Sequence, residues 1–493
     1  MIIFRVDEMR IVHALVWLGV FVGSTCRAEI VVPRLIGSNM VLQRESNVKL
    51  WGWGEAGEEV EIVCDWLDST VKVVTTQEGV WSAEVATGSS GESHRIELRG
   101  TNQIILENIL FGEVWVGSGQ SNMEMPLRAI SGAYTGIHDA EEEIAAANYP
   151  EIRLFQVGNY SSDSPLDDVE TGISMYGVPP AKCEWLECSK DNVGTFASTA
   201  YFFAEALHKK LGVPVGIIDA SWGGTSAEAW TPVDGLIECG LEKDVVRART
   251  APQQADQKIP SRLYNGMIHP LRQFKVRGCI WYQGESNTSR AEGYHQLFTT
   301  MIKQWRRAFN DELSFYFVQL APYRYGDVNS ALLREAQLDT LKLPRTGMVV
   351  TTDIGNFTDI HPKNKREVGR RLSLHALAND YGLDIAHSGP TYRACEIIGN
   401  EISVQFDHSE GLKAKDGSPL RGFEIAGVDG VFAEAAARLD GKAVVIGASK
   451  VAMPRAVRYA FTNEADGNLV NAAGLPASSF RTLRSSKNNG DGE

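Results

Sequence analysis

The stretch GSGQSNMEMP, residues 117–126, places small and polar residues directly behind the apolar run at 114–116. Such a run predicts the end of a buried strand, and α/β folds bind their ligands where strands of this kind end. Two serines, Ser118 and Ser121, lie at this junction. The stretch therefore predicts either a functional site or a simple glycine-rich turn, and the rest of the chain has to distinguish the two.

Apolar strands and amphipathic helices alternate along the chain after residue 112. The apolar run GCIWY (278–282) precedes residues 294–309, in which apolar side chains recur at helical spacing. Two further apolar runs, FYFVQLA (315–321) and GMVVTTDIG (347–355), predict strands. This order predicts an α/β fold whose doubly wound, mostly parallel sheet has helices on both faces.

The hydrophobic pattern divides the chain into segments. Short alternating runs separated by turn residues predict an antiparallel β domain at each end of the α/β domain. A long, weakly patterned acidic stretch predicts a loop-rich insertion. The predicted division is 1–28 as a signal peptide, 29–110 as the N-terminal β domain, 111–382 as the α/β domain with its insertion at about 127–195, 383–484 as the C-terminal β domain and 485–493 as a disordered tail.

The N-terminus has the features of a secretory signal. Arg5 and Arg10 precede an apolar stretch at 11–23, and the small residue Ala28 follows. We therefore expect a secreted or periplasmic protein, with an uncleaved anchor as the alternative. No other run in the sequence approaches the roughly 18 apolar residues that a membrane span needs, so no membrane partner is expected after cleavage.

The charge balance restricts the partners. The chain has 48 Lys and Arg against 62 Asp and Glu, a formal net charge of −14, which repels nucleic acid and anionic membranes. A neutral or uncharged partner is expected.

Of the seven cysteines, Cys183 and Cys188 are close enough in sequence to pair in an oxidising compartment, and Cys279 is expected to be a buried thiol.

Polar and glycine clusters follow three more of the predicted strands. They are SWGGTS (221–226), QGESN (283–287) and DIGNFTDIHPKNK (353–365). Because the carboxyl ends of parallel strands meet at one rim of a sheet, we expect these clusters to lie close to residues 117–126. Together they supply a hydroxyl, backbone amides, an amide side chain and a histidine beside an aspartate, which are the parts of an acyl-transfer site.

Four blocks of sequence resemble those of the sialate O-acetylesterases, a branch of the SGNH hydrolases. They are EVWVGSGQSNMEMP (113–126), GIIDASWGGTSAEAW (216–230), WYQGESN (281–287) and DIHPKNK (359–365), and the similarity spans roughly residues 30–482. The resemblance implies an SGNH-hydrolase-like sheet flanked by β domains. It also implies a serine esterase that removes O-acetyl groups from sialic acid through an acetyl-enzyme intermediate, with an O-acetylated sugar or glycan as partner and with no cofactor or metal.

The resemblance assigns the two reacting side chains. Ser121 matches the nucleophile of the family, which leaves Ser118 as a turn residue. His361 matches the catalytic histidine, just before the last helix of the α/β domain. Its rival is His269 in NGMIHPL, which lacks a neighbouring carboxylate and is more simply explained as a core histidine.

The third member of the triad stays open in the sequence. Many SGNH enzymes place an aspartate three residues before the histidine, where this chain has Thr358. Asp359 lies two residues before His361 and is the preferred candidate, because the orienting carboxylate has to reach the imidazole. Asp353, or a dyad without a third member, is the alternative.

The resemblance also implies an oxyanion hole. It would contain the backbone amides of Ser121 and Gly224, the latter preferred over Gly223. The asparagine that is usual in the third block of SGNH enzymes is replaced here, and Gln283 is the candidate for its amide donor. Two further side chains are expected to support the site, with Glu285 positioning its neighbours and Asn122 holding the loop.

Other functions are compatible with parts of the pattern. The same blocks would serve an acetylesterase acting on xylan, pectin or another acetylated glycan, since only the leaving alcohol differs. A non-catalytic glycan-binding protein built from the β segments is an alternative of a different class. A metal-dependent hydrolase is disfavoured, because the sequence has neither an H-E-x-x-H motif nor close Cys and His spacing. The acetyl position and the oligomeric state do not follow from the sequence.

Overall fold

The computed structural model describes residues 29–174, 176–252 and 256–483. The predicted signal peptide at 1–28 and the tail at 485–493 lie outside the described residues. No helix in the described ranges is both long and apolar enough to span a bilayer.

Between residues 29 and 119 the regular secondary structure consists of strands. They are β1 (Val41–Gln43), β2 (Asn47–Trp53), β3 (Glu59–Cys64), β4 (Val71–Val74), β5 (Val80–Ala86), β6 (His94–Arg99) and β7 (Gln103–Gly119). Alternating burial along β5, with every second side chain covered, is typical of a strand that has one face on the core and one in water.

Helices and strands alternate in the middle of the chain. The helices are α1 (Ser121–Glu124), α2 (Ala140–Ala146), α3 (Ser198–Leu211), α4 (Val233–Glu238), α5 (Glu242–Thr250), α6 (Ala291–Phe309), α7 (Ala331–Asp339) and α8 (Lys365–Asn379). The strands are β8 (Asn148–Gln156), β9 (Trp185–Ser189), β10 (Val215–Ser221), β11 (Gly278–Tyr282), β12 (Ser314–Val318) and β13 (Thr346–Val349). Short 3₁₀ turns lie at Val193–Thr195, Ala227–Trp230, His269–Leu271, Glu285–Arg290 and Thr340–Lys342, and a π turn at Tyr264–Ile268.

The long strand β7 organises the central sheet. Its second half lies between β10 and β11 in the strand order β13-β12-β11-β7-β10-β8-β9. These neighbours are parallel except β8 and β9, which are antiparallel. The first half of β7 pairs antiparallel with β6, so eleven strands form one mixed sheet. The predicted α/β class is confirmed, and the predicted boundary at residue 110 falls inside β7.

Helices cover both faces of this sheet because successive strand residues point to opposite sides. In β11, Ile280 packs with α3 and α8, sharing a core with Phe203 and Leu372. Its neighbour Trp281 packs on the other face against α6, where its ring lies 6.0 Å from that of Phe298. Full burial of one such side chain stabilises the fold by roughly 1.5–3 kcal/mol.

The stretch predicted as a loop-rich insertion, 127–195, differs from the prediction. It contains α2 and the strands β8 and β9, and β8 is a member of the central sheet beside β10. Cys183 and Cys188, which also lie here, are both free thiols buried in different hydrophobic cores, so the pairing that the sequence allowed is absent. Cys279 is a buried thiol, as expected.

The C-terminal part is again built from strands. They are β14 (Thr391–Ile398), β15 (Glu401–Asp407), β16 (Lys413–Ala414), β17 (Phe423–Ala426), β18 (Phe432–Glu434), β19 (Ala436–Asp440), β20 (Ala443–Gly447), β21 (Ala456–Tyr459), β22 (Leu469–Val470) and β23 (Phe480–Arg481). Two four-stranded antiparallel sheets share one core that includes Val404 and Ile425. The ion pair of Arg481 with Glu335, 2.8 Å, joins β23 to α7.

Candidate active site

A sharp turn exposes one of the two serines behind β7. Gly119 has a φ of +138°, and a Cβ there would lie 2.2 Å from the carbonyl oxygen of Tyr282, so only glycine fits. Ser121 begins α1 two residues later and is 9% exposed. Ser118 is fully buried, and its Oγ donates to the carbonyl of Ala220 at 2.6 Å. Ser121 is therefore the serine of this turn that a substrate can reach.

The SWGGTS loop after β10 lies against Ser121. A Cβ on Gly223 would lie 3.3 Å from the Cβ of Ser121. The Gly223 N–H is already engaged, because it donates to Glu124 Oε2 at 2.7 Å. The N–H of Gly224 donates to no group in the described part of the chain, and its φ of +72° is one that glycine favours. Of the two glycines, Gly224 has the available donor.

Tyr134 connects this loop with His361. Its hydroxyl donates to Glu124 Oε2 at 2.5 Å and would lie 2.9 Å from a Cβ on Gly223. The ring of Tyr134 meets the ring of His361 edge to face, with centroids 5.3 Å apart. Since a Cβ on Gly223 would also lie 3.3 Å from Ser121 Cβ, the predicted serine and histidine are linked through Gly223 and Tyr134.

Asn122 links three of the predicted blocks. Its Nδ2 donates to Glu285 Oε1 at 2.5 Å and to the carbonyl oxygen of Ile360 at 3.0 Å. Its Oδ1 accepts a hydrogen bond from Lys365 Nζ. Asn122, the residue after Ser121, is thereby hydrogen-bonded to Ile360, the residue before His361. The same side-chain amide also binds the carboxylate of Glu285 in the third block.

The two candidate aspartates have different surroundings. Asp359 Oδ1 lies 3.9 Å from His361 Nδ1 and accepts the His361 N–H at 2.9 Å. Asp353 accepts from Nη1 and Nη2 of Arg371, at 2.7 and 2.8 Å, and from Lys415 at 2.7 Å. Burial raises the pKa of Asp353, but these cations outweigh it and lower that pKa overall. Asp359 is thus the carboxylate beside the imidazole.

Burial and charge keep His361 neutral at pH 7. Burial, followed by the positive charge of Lys365, lowers the pKa of His361 to about 4, against the opposing effect of Asp359. Lys365 is itself fully buried, with its Nζ 5.0 Å from the centre of the Tyr282 ring. Burial lowers the pKa of Lys365 to about 7, although Glu285 and Asp359 favour its charged form. A neutral imidazole at this position can accept a proton.

The structure corrects the role predicted for Gln283. Its side chain is fully buried, and its Nε2 donates to Asn287 Oδ1 at 2.7 Å and to the carbonyl of Thr225 at 3.3 Å. Its Oε1 accepts from the Tyr294 hydroxyl at 2.8 Å. Both amide hydrogens are engaged, so Gln283 braces the strand ends and has no hydrogen left for an oxyanion.

The rival histidine is held elsewhere. His269 Nδ1 lies 2.8 Å from the carbonyl oxygen of Leu166 and 3.0 Å from Arg272 Nη1. Burial lowers its pKa. These contacts agree with a packed structural histidine.

Three residues of the site were missed in the sequence: Glu124, Tyr134 and Lys365. Glu124 is half-buried and accepts from Tyr134, from Gly223 and from Asn159 Nδ2 at 2.9 Å. Removal of its carboxylate from water raises the pKa of Glu124. Glu124 and Lys365 lay inside the recognised blocks, but a sequence does not show which distant groups a charged residue contacts. Tyr134 lay in the weakly patterned segment.

No group of three His, Cys, Asp or Glu side chains within residues 29–174, 176–252 and 256–483 is placed to hold a metal ion.

The chain is similar to known carbohydrate esterases. A sequence model of the family described as carbohydrate esterase, sialic acid-specific acetylesterase, matches residues 112–378. The sialate O-acetylesterase of Rattus norvegicus is 28% identical over 79% of this chain and 81% of its own length. That of Homo sapiens is 27% identical over 77% of each chain. A crystal structure of a carbohydrate acetylesterase from Xanthomonas citri is 35% identical, covers 92% of this chain and 100% of its own, and has a TM-score of 0.83.

The α/β sheet, the site at its strand ends and these similarities define the chain as a carbohydrate acetylesterase. More particularly, it belongs to the sialic acid-specific acetylesterase family of carbohydrate esterases. The family resemblance predicted from the four sequence blocks is confirmed.

Proposed function

We propose that this carbohydrate acetylesterase removes O-acetyl groups from sialic acid and that Ser121 is its nucleophile. The name sialate O-acetylesterase, which curated relatives carry, supports this substrate. The observation that carries the mechanism is the grouping of Ser121, the Gly223 loop and His361 around Tyr134.

The proposed reaction has two steps. Ser121 Oγ attacks the acetyl carbonyl while His361 takes the hydroxyl proton and passes it to the departing sugar hydroxyl. Water, activated by the same imidazole, then attacks the acetyl-enzyme and releases acetate. The N–H groups of Ser121 and Gly224 face the oxyanion, and loss of one such donor typically costs about 10²–10³ in kcat.

Asp359 is proposed to orient His361. Its separation of 3.9 Å from His361 Nδ1 is longer than a hydrogen bond. Catalytic hydrogen bonds are often long without substrate and shorten in the Michaelis complex. The contact of Thr135 Oγ1 with Asp359 Oδ2, 3.2 Å, ties this carboxylate to the segment that carries Tyr134.

We further propose that the α/β part is an SGNH-hydrolase-like domain and that the protein is secreted or periplasmic. The four blocks and the parallel strands that carry them support the first statement. The basic and apolar N-terminal segment supports the second. N-terminal sequencing of the exported protein should begin at Glu29, and a chain that retains residues 1–28 would contradict export by cleavage.

Acetate release tests the proposed function. The panel contains 9-O-acetyl-N-acetylneuraminic acid, acetylated xylan and p-nitrophenyl acetate, and it compares the parent protein with Ser121→Ala. Acetate should be released from the sialic acid by the parent and not by the variant. Ser118→Ala is the matched control, and it should keep its activity if it keeps its fold. Equal release by Ser121→Ala and the parent would remove Ser121 from the mechanism.

A second candidate keeps the mechanism and changes the sugar. The Xanthomonas citri structure, 35% identical, is named a carbohydrate acetylesterase without mention of sialic acid. A neutral glycan such as acetylated xylan is then the substrate. Release of acetate from xylan but not from the sialic acid would favour this candidate.

A further inference from the structure

A polar cleft lies beside the loop that carries Gly224. The cleft has a volume of about 350 Å³, and Gly224 and Ser286 line it. Both belong to segments that touch the serine turn. A Cβ on Gly223 would lie 3.3 Å from Ser121 Cβ, and the Ser286 N–H donates to Gln120 Oε1 at 3.2 Å. The cleft is therefore lined by the neighbour of Gly223 and by a residue that is hydrogen-bonded to the serine turn.

Three cationic side chains line this cleft together with two carboxylates. They are Arg247, Lys258 and Arg290, with Glu228 and Asp244. Arg290 pairs with Glu228 at 3.0 Å, so these two charges neutralise each other. Arg247 and Lys258 are exposed and form no ion pair with any residue that the structure describes. Lys258 lies close to Gly224, with its Cε 3.9 Å from where a Cβ on Gly224 would be.

The remaining carboxylate of the lining is Asp244. Burial, and then the charge of Glu228, raise the pKa of Asp244 in spite of Arg290 and Arg247. The lining has three cations against two carboxylates. The cleft thus has an excess of positive charge, on a chain whose formal net charge is −14. Two unpaired cations beside an esterase serine are suited to an anionic group of the substrate.

We propose that Arg247 and Lys258 bind the carboxylate of an acidic O-acetylated sugar while the N–H of Gly224 faces the carbonyl oxygen of its acetyl group. The proposal rests on the proposed function and adds a residue-level basis for choosing sialic acid over neutral glycans. Among the described residues, no aromatic side chain lines this cleft, whereas stacking on aromatic rings would suit a neutral sugar. The carboxylate and the acetylated glycerol tail of sialic acid are attached to the two carbons that flank the ring oxygen. Lys258 lies close to Gly224, so one ligand can reach both places.

The test compares one sugar with and without its charge. The substrates are 9-O-acetyl-N-acetylneuraminic acid and its C1 methyl ester, and the product measured is acetate. The parent should prefer the acid, and this preference should fall with added salt because the cations are exposed. In Arg247→Gln/Lys258→Gln, the ratio of kcat/KM for the acid over the methyl ester should fall about tenfold or more, since two charge-assisted contacts are lost.

A matched control is available on α5, the helix that carries Arg247. Lys243→Gln/Arg249→Gln removes the same charge from α5 at exposed positions outside the cleft, and it should keep the parent ratio. Equal kcat/KM values of the parent for acid and methyl ester, or an unchanged ratio in Arg247→Gln/Lys258→Gln, would overturn the proposal while leaving the esterase intact. No acetate release from either sugar by the parent would overturn the sialate function together with this subsite.

Discussion

The buried Lys365 predicts an unusual acid limit for the esterase. A catalytic base has to be unprotonated, so the rate rises with pH through the pKa of His361. That pKa is about 4, because of burial and the charge of Lys365. The neutral fraction of His361 at pH 5 is then about 0.9, whereas a histidine with an ordinary pKa of about 6.5 would be about 0.03 neutral. The parent should therefore keep most of its kcat/KM at pH 5.

Removing the lysine charge should move this limit upward. Lys365 has a pKa of about 7 and is cationic throughout the acid limb. In Lys365→Met the side chain keeps its length and loses the charge, while Asp359 and Tyr134 still face the imidazole. We expect the midpoint of the acid limb to rise by about one pH unit. At pH 4 the neutral fraction of His361 then falls from about 0.5 to about 0.1, a fivefold loss relative to the plateau.

The assay is the pH dependence of kcat/KM for p-nitrophenyl acetate between pH 4 and 8. Values are normalised to each variant's own plateau, so that a general loss of activity does not imitate a shifted pKa. Lys363→Met is the matched control, since this neighbour is partly exposed and its side chain is not part of the Asn122 network. A midpoint near 6.5 in the parent, or the same midpoint in Lys365→Met, would refute the reasoning.

Two further predictions concern the turn and the candidate aspartates. Gly119→Ala should lower the free energy of unfolding by roughly 3 kcal/mol or more, because the position has a positive φ and a Cβ there clashes with a strand carbonyl. Urea denaturation measures this loss, with Gly132→Ala as the control, since Gly132 has a positive φ in open space. Equal losses in the two variants would contradict the prediction. Asp359→Asn should lower kcat/KM at least about tenfold. Asp353→Asn should mainly lower stability, by about 3 kcal/mol, because the buried Arg371 then keeps only one of its two carboxylate partners, Glu367. The kcat/KM and the urea denaturation of both variants distinguish the two aspartates. A larger loss of kcat/KM in Asp353→Asn than in Asp359→Asn would count against Asp359.

The strand ends could be predicted from the sequence because their signals are local. Apolar runs that stop at glycine and serine identified β7, β10 and β11, and the α/β class followed from their alternation with helices. The strand β8 was missed, since its residues NYPEIRLFQ mix polar and apolar side chains and only its second half is buried. Its place between β10 and β9 depends on pairing with distant segments.

The site could be predicted only in part for a similar reason. The positions of Ser121 and His361 follow from motifs. Whether an amide side chain still has a free hydrogen, in contrast, depends on the groups that surround it in the fold. Gln283 has the right chemistry for an oxyanion donor, but Thr225 and Asn287 already use its hydrogens. Lys365 resembles any surface lysine in the sequence, and it is buried only because the fold places it beside Asn122 and the Tyr282 ring.

Covalent labelling tests the role of Ser121 most directly. A p-nitrophenyl phosphonate would be incubated with the parent protein, and peptides covering residues 117–126 would be fragmented in a mass spectrometer to locate the label. The label should be on Ser121 alone, and it should be lost in His361→Ala. A label on Ser118, on a residue outside this turn, or one that persists without His361 would contradict the proposed nucleophile and base.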